Sequence, residues 1–284
     1  MGYTLTDVSV RLDGRDILQS VSCHLQEGKW ISLIGRSGAG KSTFAKVVKG
    51  LVPFNKGEYI QNGQPMPRDR HGRLKVVPQI GYVFQYPEQQ LFAATVEQEL
   101  AFALTMQGAP GTSVDQAIHA VMEQTGIPAA LLPQNPFQLS GGLKRRVAIA
   151  SVLIADPELL ILDEPAAGLD PASRKGLLSR IRRWQEENGR TVLFISHQLE
   201  DVAEYSDEVI LLHEGRLLGH YEVNELFLKG QEKMEQAGLP LPEPIQLLRL
   251  MEQLSRQRLE PASCREADIM ERVRAVWHGK GKRS

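Results

Sequence analysis

Four short apolar runs punctuate the chain: Trp30-Ile31-Ser32-Leu33-Ile34, Ile80-Gly81-Tyr82-Val83-Phe84, Leu159-Leu160-Ile161-Leu162 and Thr191-Val192-Leu193-Phe194-Ile195. Each reads as a strand. The third runs straight into Asp163 and reads as a parallel strand buried on both faces. Between the runs the apolar positions change to a helical period. Residues 41–51 read as a helix that follows the first strand directly. Ser113-Val114-Asp115-Gln116 has the form of a capping box, and Val114, Ala117, Ile118, Val121 and Met122 then recur at helical spacing as far as Gly126, the stripe of a core-packed helix. A longer helix covers 171–187, with Leu177, Leu178, Ile181 and Trp184 on one face. Arg174, Arg180, Arg182 and Arg183 stay outside, and Asn188-Gly189 supplies the stop.

The remainder is less regular. Residues 3–10, 21–25 and 57–61 are β-type and read as an antiparallel edge. Residues 65–77 are polar and turn-rich, carry Arg68, Arg70 and Arg73, and read as a loop. His213-Glu214-Gly215-Arg216 reads as a hairpin turn. Past Leu226 the pattern suggests a separate helical appendix that includes 245–254. Residues 272–284, rich in Lys and Arg, read as a flexible end with at most a weak attraction to anionic lipid.

Two glycine-rich segments stand out against this frame. Gly35-Arg36-Ser37-Gly38-Ala39-Gly40-Lys41-Ser42 lies between the first strand and the first helix, the context a phosphate-binding loop requires. Glycines there let successive backbone N–H groups turn toward phosphate oxygens. Lys41 reaches the outer phosphates, and the Ser42 hydroxyl, followed by Thr43, is placed to ligate Mg²⁺. Ligands of open α/β sheets bind at the carboxyl ends of the strands, where Asp163 and Glu164 sit. Asp163 is the expected Mg²⁺ holder, and Glu164 is free to polarise an attacking water. The second segment, Leu139-Ser140-Gly141-Gly142-Leu143, precedes the helical run Lys144-Arg145-Arg146-Val147-Ala148-Ile149-Ala150. Ser140 and the two glycine N–H groups therefore face an anion at a helix N-terminus.

In that order and spacing the chain resembles ABC ATPase domains over residues 1 to about 220. The family's other stations fall in sequence. Gln85 ends the second strand as the Q-loop glutamine does, Ala167-Gly168-Leu169-Asp170 looks like the D-loop, and His197 follows the fourth strand as the switch histidine does. Within the family the chain is most similar to the ATPase subunits of energy-coupling factor transporters. The resemblance is carried by Phe84-Gln85-Tyr86-Pro87-Glu88-Gln89-Gln90-Leu91-Phe92, by Gly141-Gly142-Leu143-Lys144-Arg145-Arg146-Val147-Ala148-Ile149-Ala150 with Glu164-Pro165-Ala166-Ala167-Gly168-Leu169-Asp170-Pro171, and by Leu239-Pro240-Leu241-Pro242-Glu243-Pro244. The Gln-Leu-Phe and Arg-Arg-Val wording looks more like the second of the two ATPases such systems usually carry.

The resemblance implies a P-loop α/β core with an antiparallel β edge, a helical signature subdomain at about 86–150 and a small helical extension. Residues 1–225 are then the ATPase domain and 226–284 a dimerisation extension. It further implies ATP and Mg²⁺ as ligands, the metal held by Ser42, Gln85 and Asp163, with Glu164 and His197 catalytic and Asp170 linking two sites. Ser140, Gly141 and Gly142 would face the ATP of a second ABC ATPase chain, identical or paralogous. An integral membrane coupling subunit would dock on the stretch after Gln85, and a membrane subunit would choose the cargo, a vitamin or metal ion. Two positions depart from the family. Leu143 replaces the usual signature glutamine, and Leu12 occupies the place of the aromatic that stacks on adenine, a contact worth about 1–3 kcal/mol per base; Tyr3 has the wrong spacing to replace it. A soluble ABC ATPase of assembly or maintenance and the ATPase of another ABC importer are the alternatives. One copy of each motif and no heptad run disfavour the first, and the wording after Gln85 disfavours the second.

Composition narrows the partners. Of 284 residues, 42% are hydrophobic and 24% charged, with a net charge of −1, which gives no basic footprint for nucleic acid. No window holds the eighteen or so apolar residues of a membrane span, and the first residues lack a basic, apolar leader. An intracellular protein that reaches the cytoplasmic face of the membrane only through a partner is expected. The two cysteines, Cys23 and Cys264, are too few and too far apart in sequence for a disulfide framework.

Overall fold

In β3 (Trp30–Ile34), Ile31 and Leu33 enter one apolar cluster while Trp30 and Ile34 enter another. Successive strand residues point to opposite faces, so a run without polar alternation requires cover on both sides. The same division holds in β7 (Leu159–Asp163), where Leu159 and Ile161 oppose Leu160 and Leu162. It holds again in β8 (Thr191–Ile195), where Leu193 and Ile195 oppose Val192 and Phe194.

The computed structural model describes residues 2–70 and 74–280. Strands β3, β7 and β8 lie in a six-stranded sheet with β6 (Ile80–Val83), β9 (Glu208–His213) and β10 (Arg216–Glu222), in the order β10-β9-β3-β8-β7-β6. All neighbours are parallel except β9 and β10, which form the hairpin expected at His213. A second, antiparallel sheet of β1 (Gly2–Leu12), β2 (Arg15–Gln26), β4 (Lys56–Gln61) and β5 (Gln64–Pro65), ordered β2-β1-β4-β5, shares a core with α1 (Lys41–Lys49) on one side of the first sheet. Helices α2 (Val96–Met106), α3 (Gly111–Thr125), α4 (Gly141–Leu153), α5 (Pro171–Asn188) and α6 (Leu199–Tyr205) supply the other core.

Four local expectations change. Helix α3 starts at Gly111, so Ser113 lies inside its first turn; its hydroxyl donates to the Pro110 carbonyl at 2.7 Å and no capping box forms. Strand β2 begins at Arg15, ahead of the apolar segment, because it pairs with β1 across the Asp13-Gly14 turn, Leu12 facing Arg15. Within residues 65–77, Met66, Leu74 and Val77 are buried and Arg68 bridges Leu74, so the loop is anchored; Arg73 lies outside the described residues. Residues 272–280, expected to be flexible, continue helix α10 (Glu266–Lys280), while 281–284 lie outside the described residues.

The segment after Leu226 is joined to the rest by packing. Phe227 on α7 (Val223–Lys229), Met234 on α8 (Gln231–Gln236), Ile245, Leu248 and Met251 on α9 (Glu243–Ser255), and Ile269 on α10 all belong to the cluster that holds Trp30 and Phe194. Cys23 and Cys264 are both buried, and burial pushes each thiol up to about 12. Because Phe227 is fully buried in this shared core, Phe227→Ala is expected to cost about 3–5 kcal/mol. Urea unfolding should show one transition shifted as a whole; a second transition left at the wild-type midpoint would separate the extension from the core.

Candidate active site

The loop between β3 and α1 turns sharply because glycine occupies its two crowded corners. A Cβ on Gly35 would meet the Leu212 carbonyl oxygen at 2.3 Å, and one on Gly40, at φ 98°, would meet Leu18 Cδ2 at 2.8 Å and the Ile17 oxygen at 3.0 Å. Lys41 Nζ donates to the carbonyls of Gly35 at 2.7 Å and Arg36 at 3.0 Å. Burial lowers its pKa, and the nearby carboxylates of Glu164 and Asp163 act against that shift. Beside the loop lies a cavity of about 460 Å³ lined by Ser37, Gly38, Gly40, Lys41, Ser42, Thr43, Gln85, Asp163, Glu164, Ile195 and Ile17.

Three of the expected loop residues serve this cavity without lining it. Gly35 and Arg36 supply carbonyl oxygens to Lys41, and Ala39 is buried beneath the turn. The Arg36 side chain leads away from the cavity toward Gly238, so its part is a backbone one. From the β1–β2 hairpin it is Ile17, not Leu12, that lines the cavity; the register that pairs Leu12 with Arg15 carries Ile17 back over Gly40.

Asp163 closes β7 with its carboxylate shared between two donors. The Ser42 hydroxyl reaches Oδ1 at 3.3 Å, and the Tyr82 hydroxyl, from the adjacent β6, reaches Oδ2 at 2.9 Å. Tyr82 was hidden in an apolar run, and only strand pairing reveals it. Burial, with the neighbouring carboxylate, raises its pKa strongly, so it remains an O–H donor.

Glu164 follows in the left-handed region at φ 53°, a conformation that costs a non-glycine residue about 1–3 kcal/mol. Its N–H is held by the Ile195 carbonyl at 3.0 Å, which keeps the β7–β8 ladder intact up to this residue. The carboxylate lies against His197, Nδ1 to Oε2 2.7 Å. Both residues also line a small pocket beneath the pair, together with Arg174, Ser196 and Asp201.

The remaining expected residues lie elsewhere. Asp170 caps α5, accepting from the Ser173 N–H at 3.0 Å; this hydrogen bonding holds its carboxyl below the usual range. Ser140 caps α4, accepting from Leu143 N at 3.4 Å, and the Cα positions of Gly141 and Gly142 face open space. Residues 140–142 line neither cavity. Leu143 packs against the core of its own chain.

A phosphate cradle facing an acidic strand end defines a P-loop nucleotide-binding protein, and the separate glycine-capped helix narrows the class further. The ABC transporter family profile matches residues 18–167. The chain is 35% identical over 265 residues to the energy-coupling factor transporter ATP-binding protein EcfA2 of Bacillus subtilis (strain 168), covering 93% of this chain and 96% of that one. Among solved structures, cbiO1 from Clostridium perfringens, part of the ABC transporter complex cbiONQ, matches with a TM-score of 0.75 at 30% identity, over 87% of this chain and 98% of that one. The ATP-binding cassette MJ0796, solved as a dimer bound to ADP and Pi, shares the fold at a TM-score of 0.67 and 22% identity, over 78% and 98% of the two chains. The chain belongs to the ABC transporter family, as an ATP-hydrolysing, ATP-binding subunit of the energy-coupling factor type.

Asp201, one turn beyond His197, is a buried carboxyl 3.5 Å from Arg174, and burial raises its pKa to about 6 despite that arginine. Its folded pKa therefore exceeds the unfolded value near 3.9, so the native state binds the proton more tightly. Asp201 thus favours the fold below about pH 4, and this contribution is lost as pH rises to about 6. Asp201→Asn removes the slope. The variant should gain stability relative to wild type between pH 4 and pH 7 in urea titrations; parallel pH profiles would contradict the assignment.

Proposed function

We propose that this chain is one half of an ATPase pair that powers import through a membrane-embedded partner, the cargo being a vitamin or metal ion. The observation that carries the reading is the separation of two sets of groups. Lys41, Ser42, Gln85, Asp163 and Glu164 surround one cavity, whereas Ser140, Gly141 and Gly142 present their donors outward from another face. In a pair of chains the outward set completes the partner's site, so dimerisation becomes a requirement of the chemistry.

Backbone N–H groups of residues 37–42 bind the phosphates, and Lys41 moves from its loop carbonyls to the outer phosphate oxygens. Ser42, Gln85 and Asp163 offer hard oxygen donors at one side of the cavity, a set that suits Mg²⁺. With the nucleotide bound, that ion would neutralise phosphate charge. Tyr82 holds the second Asp163 oxygen and so fixes the carboxylate's orientation.

Glu164 orients or deprotonates the attacking water. His197, with Nδ1 committed to Glu164, has Nε2 free for the γ-phosphate. Residues 140–142 of the second chain supply preorganised donors to charge that develops in the transition state. Asp170 lies between the two sites. Domain limits of 1–225 and 226–284 follow the same reading, with 226–284 contributing to dimerisation.

Coupling to a membrane subunit is supported by the stretch after Gln85. Tyr86, Phe92, Phe102 and Met106 are exposed, and Phe92 and Phe102 stack edge to face with centroids 4.8 Å apart. Among the described residues no helix is long and apolar enough to cross a membrane, consistent with a peripheral subunit at the cytoplasmic face. Glu164→Gln keeps every phosphate contact. It should bind ATP normally while turnover falls about 10²- to 10⁴-fold, as measured by phosphate release. Hydrolysis at the wild-type rate in that variant would remove Glu164 from its role.

A further inference from the structure

Arg145 lies on α4, one turn beyond the glycines that open it, and its side chain is almost wholly buried at 6% exposure. Its guanidinium uses three donors. Nε reaches Glu88 Oε2 at 3.0 Å, Nη2 reaches Glu88 Oε1 at 2.8 Å, and Nη1 reaches the Ala167 carbonyl at 2.5 Å. The next residue, Arg146, turns the other way and donates to the Gly126 carbonyl at 3.2 Å.

Each segment meeting at Arg145 carries residues that the proposed two-chain site assigns to nucleotide. Glu88 sits in the turn Pro87–Gln90, three residues after Gln85. Ala167 is three residues after Glu164 and three before Asp170, and its own N–H bonds back to the Glu164 carbonyl at 3.2 Å. Arg145 follows Ser140 by five. Burial works against the charge on Glu88, and the Arg145 hydrogen bonds outweigh it, leaving the carboxyl below its usual range. A planar fork that binds a carboxylate on two prongs fixes orientation as well as distance, which lysine does not reproduce.

We propose that Arg145 is a positioning residue that joins the turn after Gln85, the N-terminus of α4 and the Glu164–Asp170 segment into one rigid unit. Displacement of the turn, where a membrane partner would press, then moves the donors for one ATP and the water-activating segment for the other together. The inference rests on the two-chain ATPase reading. It adds to that reading a specific buried link, between residues that touch no phosphate.

The test uses full-length Glu88→Gln, Arg145→Lys and the double variant, with ATP affinity, KM, kcat and thermal melting measured on each. Glu88→Gln preserves size but turns one of the two acceptor oxygens into an N–H donor, so it breaks the two-pronged pairing and keeps the test open if the arginine variant fails to fold. ATP affinity and KM should stay within about twofold of wild type, and kcat should fall roughly ten- to a hundredfold, the scale of a small misplacement of reacting groups. The double variant should be no slower than the slower single one, since both break the same link. Wild-type kcat in both single variants, or losses that multiply in the double, would overturn the link while leaving the ATPase reading intact. A wild-type chain that binds no ATP would overturn both.

Discussion

A parallel strand covered on both faces has no place for a charge except its end. Strands β3, β7 and β8 are buried throughout, so Asp163, Glu164 and His197 emerge where those strands stop, and the first turn of α1 brings Ser42 to the same edge. The parallel register sets those ends level, with Asp163 paired to Ile195, and the polar groups arrive from distant parts of the chain within hydrogen-bonding reach. The left-handed turn at Glu164 follows from the same constraint, since its N–H still belongs to the ladder while its side chain must leave it. Site geometry is thus a property of the sheet before it is a property of any motif.

Charge crowding at that edge is relieved by pairing. Ser42 and Tyr82 donate to Asp163, His197 hydrogen-bonds Glu164, and Arg174 stands against Asp201 behind them, while the Lys41 ammonium lies nearby on its loop carbonyls. The cavity beside the loop thus borders carboxylates that are already engaged, with Tyr82 and Ser42 on Asp163. In the proposed pair of chains, the capped end of α4, on another face of the same chain, supplies donors to the partner's site.

Much of this was legible in the sequence because the signals are local. Strand-loop-helix around Gly35, the acidic end of β7 and the serine-glycine cap of α4 each sit within a few residues. Links across sequence were not legible. Arg145 and Glu88 are 57 positions apart, and Tyr82 looks like any other apolar strand residue until β6 is laid beside β7. Ile17 displaced Leu12 at the cavity through a two-residue turn whose register no periodicity reports. At residues 15–20 only Leu18 is buried, so β2 gave no apolar run to read. The helices after Leu226 showed amphipathic faces, but nothing in a face states what covers it; that it is the core beneath Trp30 and Phe194 emerges only from packing.

The claim on which the rest turns is that one chain's phosphate loop works with another chain's α4. Lys41→Ala disables the first contribution and Ser140→Arg the second. Each variant alone should hydrolyse ATP far more slowly than wild type. A mixture of the two should recover turnover, because a mixed pair contains one site with an intact loop from one chain and an intact cap from the other. Ser140→Arg protein that turns over ATP like wild type, or a mixture no more active than its separate components, would contradict the account.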